Sequence, residues 1–268
     1  MVNIAVIGGG IVGVSSAYLI QKHIPHAKIT IIADKFTPET TSDNVAGLWT
    51  PYIVGSDENL AYKWVKATYD FCCNLWKSED SSLHGISLIS TINATTKVEP
   101  IPFWKDIPLH FRVFTSDELV ELNARGVHPD PFVQGYEYIS FTCEPKRLIP
   151  QMMKSLMKNG AKTIRRKVLS LDEIVGEYDV IINSTGLGAL ELMKDKEMAP
   201  IRGQTYRCIA PWNKRCYLLR GDLDNYIIPN FDINLIGGTK QKGNWNTEPN
   251  KADEDHIIKG CEKIVSTT

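Results

Sequence analysis

One stretch near the start constrains this chain more than any other. Residues 3–34 read NIAVIGGGIVGVSSAYLIQKHIPHAKITIIAD. The apolar run Ile4 to Ile7 has the character of a buried parallel strand. It leads into Gly8-Gly9-Gly10-Ile11-Val12-Gly13, then into a helical pattern carrying Val14, Tyr18 and Leu19. A second apolar run, Ile29 to Ile32, ends at Asp34. Strand, glycine turn, helix, strand and acid, in that order, mark a dinucleotide-binding βαβ unit. Gly8 permits the tight turn, Gly10 lets backbone approach a pyrophosphate, and Gly13 lets the helix pack close to the sheet. The helix start aims N–H groups and a positive dipole end at phosphate oxygens. Asp34 lies about 20 residues beyond the last glycine, where an acid bonds ribose hydroxyls. An acid there disfavours a 2′-phosphate, so an NADP-type ligand is not expected.

Composition excludes several other classes. At 268 residues the chain can bury a sizeable core in one large domain or two modest ones. A net charge of −1 leaves no basic footprint for nucleic acid. No apolar run has the length of a membrane span, and the apolar start lacks a basic leader region. Cysteines 72, 73, 143, 208, 216 and 261 form no CxxC spacing and read as reduced structural thiols. The six histidines show no ligand spacing, so no metal site is expected.

After Asp34 comes a polar stretch rich in Thr, Ser and Gly, reaching Pro51, too long for an ordinary βα connection. Hydroxyls of Thr40, Thr41 and Ser42 and the backbone near Gly47 are candidates for phosphate or cofactor-ring contacts. Residues 59–77 predict a helix burying Leu60, Trp64, Ala67, Phe71 and Leu75. Residues 84–91 and 136–142 read as strands, and 97–114 as a Pro-rich irregular segment. Thr115-Ser-Asp-Glu118 is a capping box opening a short helix to about Ala124. A helix with Pro145 in its first turn follows, with Leu148, Met152, Leu156 and Met157 on one face, and Gly160 stops it. Lys162 to Val168 is then a strand offered to the nucleotide sheet.

Tyr178 to Gly186 (YDVIINSTG) is a strand ending in a small-residue Thr-Gly turn. Paired with the amino-terminal glycine turn, it favours FAD over a nicotinamide cofactor. Four strands of antiparallel type follow, at 205–209, 217–220, 226–229 and 233–237, and then a polar helix from Ala252 to Ile264.

IAVIGGGIVGVSSA, TIIADKFTPETTSDNVAGLW, VIINSTG, RGQ, APW, YIIP and GGTKQKGNWN together are similar to the D-amino-acid oxidase family, and most to its D-aspartate oxidase branch. The resemblance implies an α/β fold: a Rossmann-type FAD-binding domain interleaved with a mixed antiparallel-sheet substrate domain. The expected partition is 1–50 and 143–205 for FAD binding, 51–142 and 206–250 for substrate, and 251–268 as a terminal helix. The implied activity converts a D-amino acid and oxygen to a 2-oxo acid, ammonia and hydrogen peroxide. The cofactor carries the redox step, and the protein holds the substrate with one face presented.

By the same resemblance Gly8, Gly10, Ile11, Val12 and Gly13 contact FAD; Asp34 and Lys35 bind its adenosine; Thr41 and Ser42 touch its phosphates. Ala46, Gly47 and Leu48 lie against the flavin, and Val168 meets the adenine end through its backbone. Tyr226 bonds the substrate α-carboxylate, while Arg220 and Lys240 face an acidic side chain, Lys240 standing where the branch often carries arginine. A lysine keeps the charge but loses the bidentate fork. The family continues past the last helix with an arginine that pairs with the α-carboxylate, so this chain reads as carboxy-terminally shortened. A non-catalytic member that at most binds nucleotide is one alternative, a nicotinamide dehydrogenase another. Family members are commonly peroxisomal through a terminal tripeptide; Ser-Thr-Thr is no such signal, which makes the cytosol the default. Oligomeric state stays open, a homo-oligomer among the options.

Overall fold

The computed structural model describes residues 1–221 and 224–266. Thr267 and Thr268, part of the terminal tripeptide read above, lie outside the described residues. In chain order the elements are β1 (Asn3–Gly9), α1 (Ile11–His23), β2 (Lys28–Phe36), α2 (Glu58–Trp76), β3 (Ile86–Thr95), β4 (Leu109–Val113), α3 (Ser116–Ala124) and β5 (Gln134–Cys143). There follow α4 (Pro145–Lys158), β6 (Lys162–Arg165), β7 (Val180–Asn183), α5 (Ala189–Leu192), β8 (Ile201–Arg202), β9 (Tyr206–Cys208), β10 (Arg215–Arg220), β11 (Asn225–Pro229), β12 (Asn234–Gly237), β13 (Gln241–Lys242) and α6 (Lys251–Ser266). The chain divides into two compact units, each built from two stretches: 1–45 with 145–200, and 46–144 with 201–268.

The first unit carries a four-stranded parallel sheet in the order β6-β2-β1-β7. Its apolar runs are continuous because both faces are covered. Ile4, Ala5, Val6 and Ile7 are all buried, as are Ile29, Ile31 and Ile32. Each such Val or Ile contributes about 1.5–3 kcal/mol on burial. Strand order reverses at β1, with β2 on one side and the much later β7 on the other. That makes the C-terminal ends of β1 and β7 the switch point at which open α/β sheets bind ligands.

The second unit carries a seven-stranded mixed sheet, β4-β5-β3-β10-β11-β12-β9. All its pairs are antiparallel except β3 with β10. One face packs Ile92, Ala94, Tyr217, Leu219 and Ile227 against Leu122 of α3 and Ile257, Cys261 and Ile264 of α6. The other face packs Ile89, Cys216, Ile228 and Leu235 against Ala46, with Leu48, Leu218 and Tyr226 at the edge of the cluster. β13 and β8 form a separate two-stranded ribbon.

The structure corrects several expectations. On α2 the buried stripe is Ala61, Val65, Tyr69 and Cys72, one position away from the expected one. Leu60 and Trp64 are 41% and 56% exposed. The aromatic bulk comes from outside the helix: Trp49 packs edge-on against Tyr69 and donates its Nε1–H to the Val65 carbonyl at 3.0 Å. On α1 the buried residues are Gly13, Val14 and Ala17, and Leu19 is exposed, because the helix lies too close to the sheet for larger groups. On α4 Met157 is exposed and Ile149 buried. β6 ends at Arg165, with Val168 beyond it in a buried cluster with Ala5, Ile7, Ile32 and Ile174. The Pro-rich segment supplies an edge strand, β4, that periodicity did not show.

Candidate active site

In the first unit the glycine turn is shaped by what approaches it. Gly8 has φ +124°, and a Cβ there would sit 2.2 Å from the Ser184 carbonyl oxygen. Ser184 is fixed in turn, its N–H donating to the Ile7 carbonyl at 2.8 Å. A Cβ on Gly13 would meet the Gly8 carbonyl oxygen at 2.0 Å, so only glycine lets α1 approach β1 this closely. Beside Gly10 the nearest atom a Cβ would meet is the Ser42 hydroxyl, at 3.0 Å. That hydroxyl accepts from the Ile11 N–H at 3.0 Å. Ser42 thus caps the start of α1 and keeps its own proton to donate. Val12, in the same first turn, is 61% exposed. Thr41 is exposed next to Ser42.

Thr40 is otherwise engaged. Its hydroxyl donates to Asp43 Oδ2 at 2.7 Å and its N–H to the same oxygen at 2.9 Å, which removes it from the phosphate candidates. Asp34 and Lys35 are exposed near the C-terminal end of β2. Beside Asp34, Arg165 forms a two-pronged pair with Glu39, at 2.8 and 3.2 Å. Glu39, first by that hydrogen bond, holds the Arg165 guanidinium above its usual value, and Asp34 adds to this.

In the second unit residues 46–50 are stitched to the end of β5, where β4 stops short. The Gly47 carbonyl accepts from the Cys143 N–H at 2.8 Å, Leu48 bridges to Thr142, and the Trp49 N–H donates to the Phe141 carbonyl at 2.8 Å. The buried side chain of Asn230 donates to the Ala46 carbonyl at 3.0 Å. Ala46, Gly47 and Leu48 are therefore fixed on the sheet face that holds Leu218 and Tyr226.

Register organises that face. Tyr226 pairs with Leu218, Leu218 with Asn93, and Asn93 with Tyr136, a row across four strands. Arg220, two residues beyond Leu218, projects on the same face and heads the adjoining row with Thr95 and Gln134. Tyr226 and Arg220 are thus diagonal neighbours, about 7–8 Å apart along the backbone and within reach of one small molecule. The Tyr226 phenol has no hydrogen-bond partner among the described residues, and burial, helped by Cys261 and Tyr52, pushes it up to about 12. It is a protonated donor at any physiological pH. Lys240 is exposed beyond β12, its Nζ 5.3 Å from the Tyr52 ring centre, a cation–π contact. Arg220 is paired: Nη2 lies 2.8 Å from Glu99 Oε2, and Nε donates to Asn93 Oδ1 at 3.2 Å.

Sequence reasoning missed Asn230, Asn93, Glu99 and Gln134, whose partners lie far along the chain; no local pattern marks them. Ser184 carried a signal, the small-residue turn after β7. Among the described residues no group of three or more His, Cys, Asp or Glu is placed to hold a metal ion.

Residues 3–267 match the family described as DAO, FAD dependent oxidoreductase, and the chain belongs to that family. It is 33% identical over 262 residues to the D-aspartate oxidase of Homo sapiens, covering 97% of this chain and 74% of that protein. It is 31% identical over 268 residues to the D-amino acid oxidase of Dugesia ryukyuensis, covering 98% and 78%. Among solved structures, glycine oxidase from Geobacillus kaustophilus superposes with TM-score 0.69 at 15% identity, covering 98% of this chain and 78% of that one. L-alpha-glycerophosphate oxidase from Mycoplasma pneumoniae, solved with FAD bound, gives 0.67 at 14%, covering 100% and 79%. These two likenesses establish the fold. The family's cofactor is FAD, and the first unit suits its adenosine diphosphate half: a turn with room beside Gly10, a helix start, and an exposed acid ending β2.

Proposed function

We propose that this chain is a flavin oxidase that deaminates D-amino acids to 2-oxo acid, ammonia and hydrogen peroxide, with acidic side chains preferred. FAD, when bound, supplies the two-electron redox chemistry. Gly8, Gly10, Ile11, Val12, Gly13, Thr41 and Ser42 would hold its phosphates. Asp34, Lys35 and the backbone at Val168 would hold the adenosine, and Ala46, Gly47 and Leu48 the ring. The Tyr226 phenol donates to the substrate α-carboxylate. Arg220, with Lys240 as a second cation, attracts the side-chain carboxylate. Two anchors on one rigid face hold the substrate Cα, and the ring would be the third point that makes the hold depend on handedness.

The observation that carries this reading is the adjoining placement of Tyr226 and Arg220, on the sheet face against which Ala46 and Leu48 pack. The two named relatives, a D-aspartate oxidase and a D-amino acid oxidase, support it. The cytosol is the compartment we assign, on the support of cysteine spacing that suits reduced structural thiols.

Purified protein is expected to absorb in the visible range as a flavoprotein. It should consume oxygen and release peroxide with D-aspartate faster than with D-alanine, and not with L-aspartate. Flavin absorption without peroxide from any D-amino acid would sink the activity; D-alanine turned over faster than D-aspartate would sink the side-chain assignment.

A further inference from the structure

The cation that this reading gives to the substrate side chain already has a carboxylate. Arg220 and Glu99 meet at 2.8 Å, with 37% and 42% of their side chains exposed. Glu99 lies in the connection between β3 and β4 but is fixed there. Gln134 clasps its backbone from both directions, Oε1 accepting from the Glu99 N–H at 2.8 Å and Nε2 donating to the Glu99 carbonyl at 3.0 Å. Gln134 is itself held in register, in the same cross-strand row as Arg220, through Thr95. The row that carries the cation therefore also carries the residue that fixes its counter-ion. Asn93 accepts from Nε, the donor adjacent to Nη2 on the guanidinium, and stands in the Tyr226 row. The carboxylate of Glu99 occupies Nη2, one of the prongs that Arg220 could offer to a substrate carboxylate.

We propose that Glu99 is a specificity-setting residue: it stands in for the substrate's side-chain carboxylate, and an acidic substrate has to displace it. This rests on the assignment of Arg220 made above. A half-exposed ion pair is cheaply opened in water, so displacement is open to a substrate that brings its own carboxylate. A neutral side chain leaves the pair closed and meets no bare cation. Glu99 thus narrows the gap between acidic and neutral substrates that Arg220 and Lys240 alone would create, a case of specificity set by a competing group.

Glu99→Gln removes the charge and leaves the backbone clasp from Gln134 in place. In the FAD-loaded protein it is expected to lower KM for D-aspartate relative to KM for D-alanine by about fivefold, the upper range for an exposed ion pair. Succinate, titrated by calorimetry, should bind tighter by a similar factor, with no such change for butyrate. In an Arg220→Gln background the same substitution should change neither ratio. If Glu99→Gln leaves the D-aspartate to D-alanine ratio unchanged or shifts it the other way, while Arg220→Gln alone still raises KM for D-aspartate selectively, the counter-ion role is wrong and Arg220 keeps its assignment. If Arg220→Gln also fails to discriminate the two substrates, the reading of Arg220 falls first.

Discussion

Tyr226 shows how a single side chain is made ready by residues that never touch a ligand. Its ring lies on Gly237 and Gly238; a Cβ on either would come within 2.2 Å of ring atoms, so two glycines in succession form the floor beneath the phenol. Across the hairpin Tyr226 pairs with Gly237, and the carbonyls of both accept weakly from Cys261 Sγ, at 3.4 and 3.5 Å. The phenol is left as an unengaged donor on a fixed arm. Tyr226→Phe keeps the ring and removes the donor, so KM should rise for D-aspartate and D-alanine alike, by about tenfold or more, since a hydrogen bond to a charged group is worth about 1.5–3 kcal/mol. Steady-state kinetics with both substrates checks this; an effect on D-aspartate alone would move Tyr226 from the α-carboxylate to the side-chain end. The candidate residues that sequence reasoning placed at the glycine turn, Gly8, Gly13 and Asp34, all belong to one short local pattern. Glu99, Gln134 and Asn230 were illegible for a physical reason. Each acquires its role from a partner in another strand, as Arg220 does from Asn93 across 127 residues.

Among the elements, α6 depends on a buried ion pair. Arg202 of β8 and Asp253 in the first turn of α6 have side chains only 9% and 14% exposed and meet at 2.7 Å. All five guanidinium donors are used: on Asp253, Gln241 and Gln204 side chains and on the carbonyls of Asn246 and Glu248. Burial works against ionising Asp253, but Arg202, Asn250 and Gln241 outweigh it and hold the carboxyl below its usual value. This anchors the helix whose Ile257, Cys261 and Ile264 close one face of the seven-stranded sheet. Arg202→Met strands a buried carboxylate and should lower unfolding free energy by about 3–5 kcal/mol in denaturant melts, with Asp253→Leu added to it recovering much of the loss. A single-variant loss below about 1 kcal/mol would show the pair to be dispensable. Element existence was largely readable: the glycine turn, the capping box before α3 and the four strands from β9 to β12 all stand near where their patterns put them. Helix faces were less readable. The packing side of α1 and α2 is chosen by how near the sheet or Trp49 comes, which periodicity alone does not show.

At the scale of the whole molecule, the buried acids that resist ionisation gather in the second unit. Burial lifts the phenols of Tyr136 and Tyr226 to about 12 and holds that of Tyr138 well above its ordinary value, and it lifts the thiols of Cys216 and Cys261 to about 12. These groups favour the folded state while protonated. Their contribution is complete below the ordinary thiol and phenol values of 9 and 10, and is lost as pH climbs toward 12. Melting temperature should therefore fall steeply above about pH 9, and phenolate absorbance should show some tyrosines ionising only as the fold is lost. If all ten tyrosines titrated together near pH 10 with the circular dichroism of the fold intact, this account of the second unit would be wrong. The interleaving of the two units has its own consequence. The polypeptide passes from one to the other three times, after residues 45, 144 and 200. β1 gains its neighbour β7 only when residues 180–183 have been made, and β3 gains β10 only after residue 215. A ribosome midway along the message thus holds two incomplete sheets, each with a raw edge awaiting a strand still untranslated. Neither unit can be excised for separate expression without splicing its two stretches together.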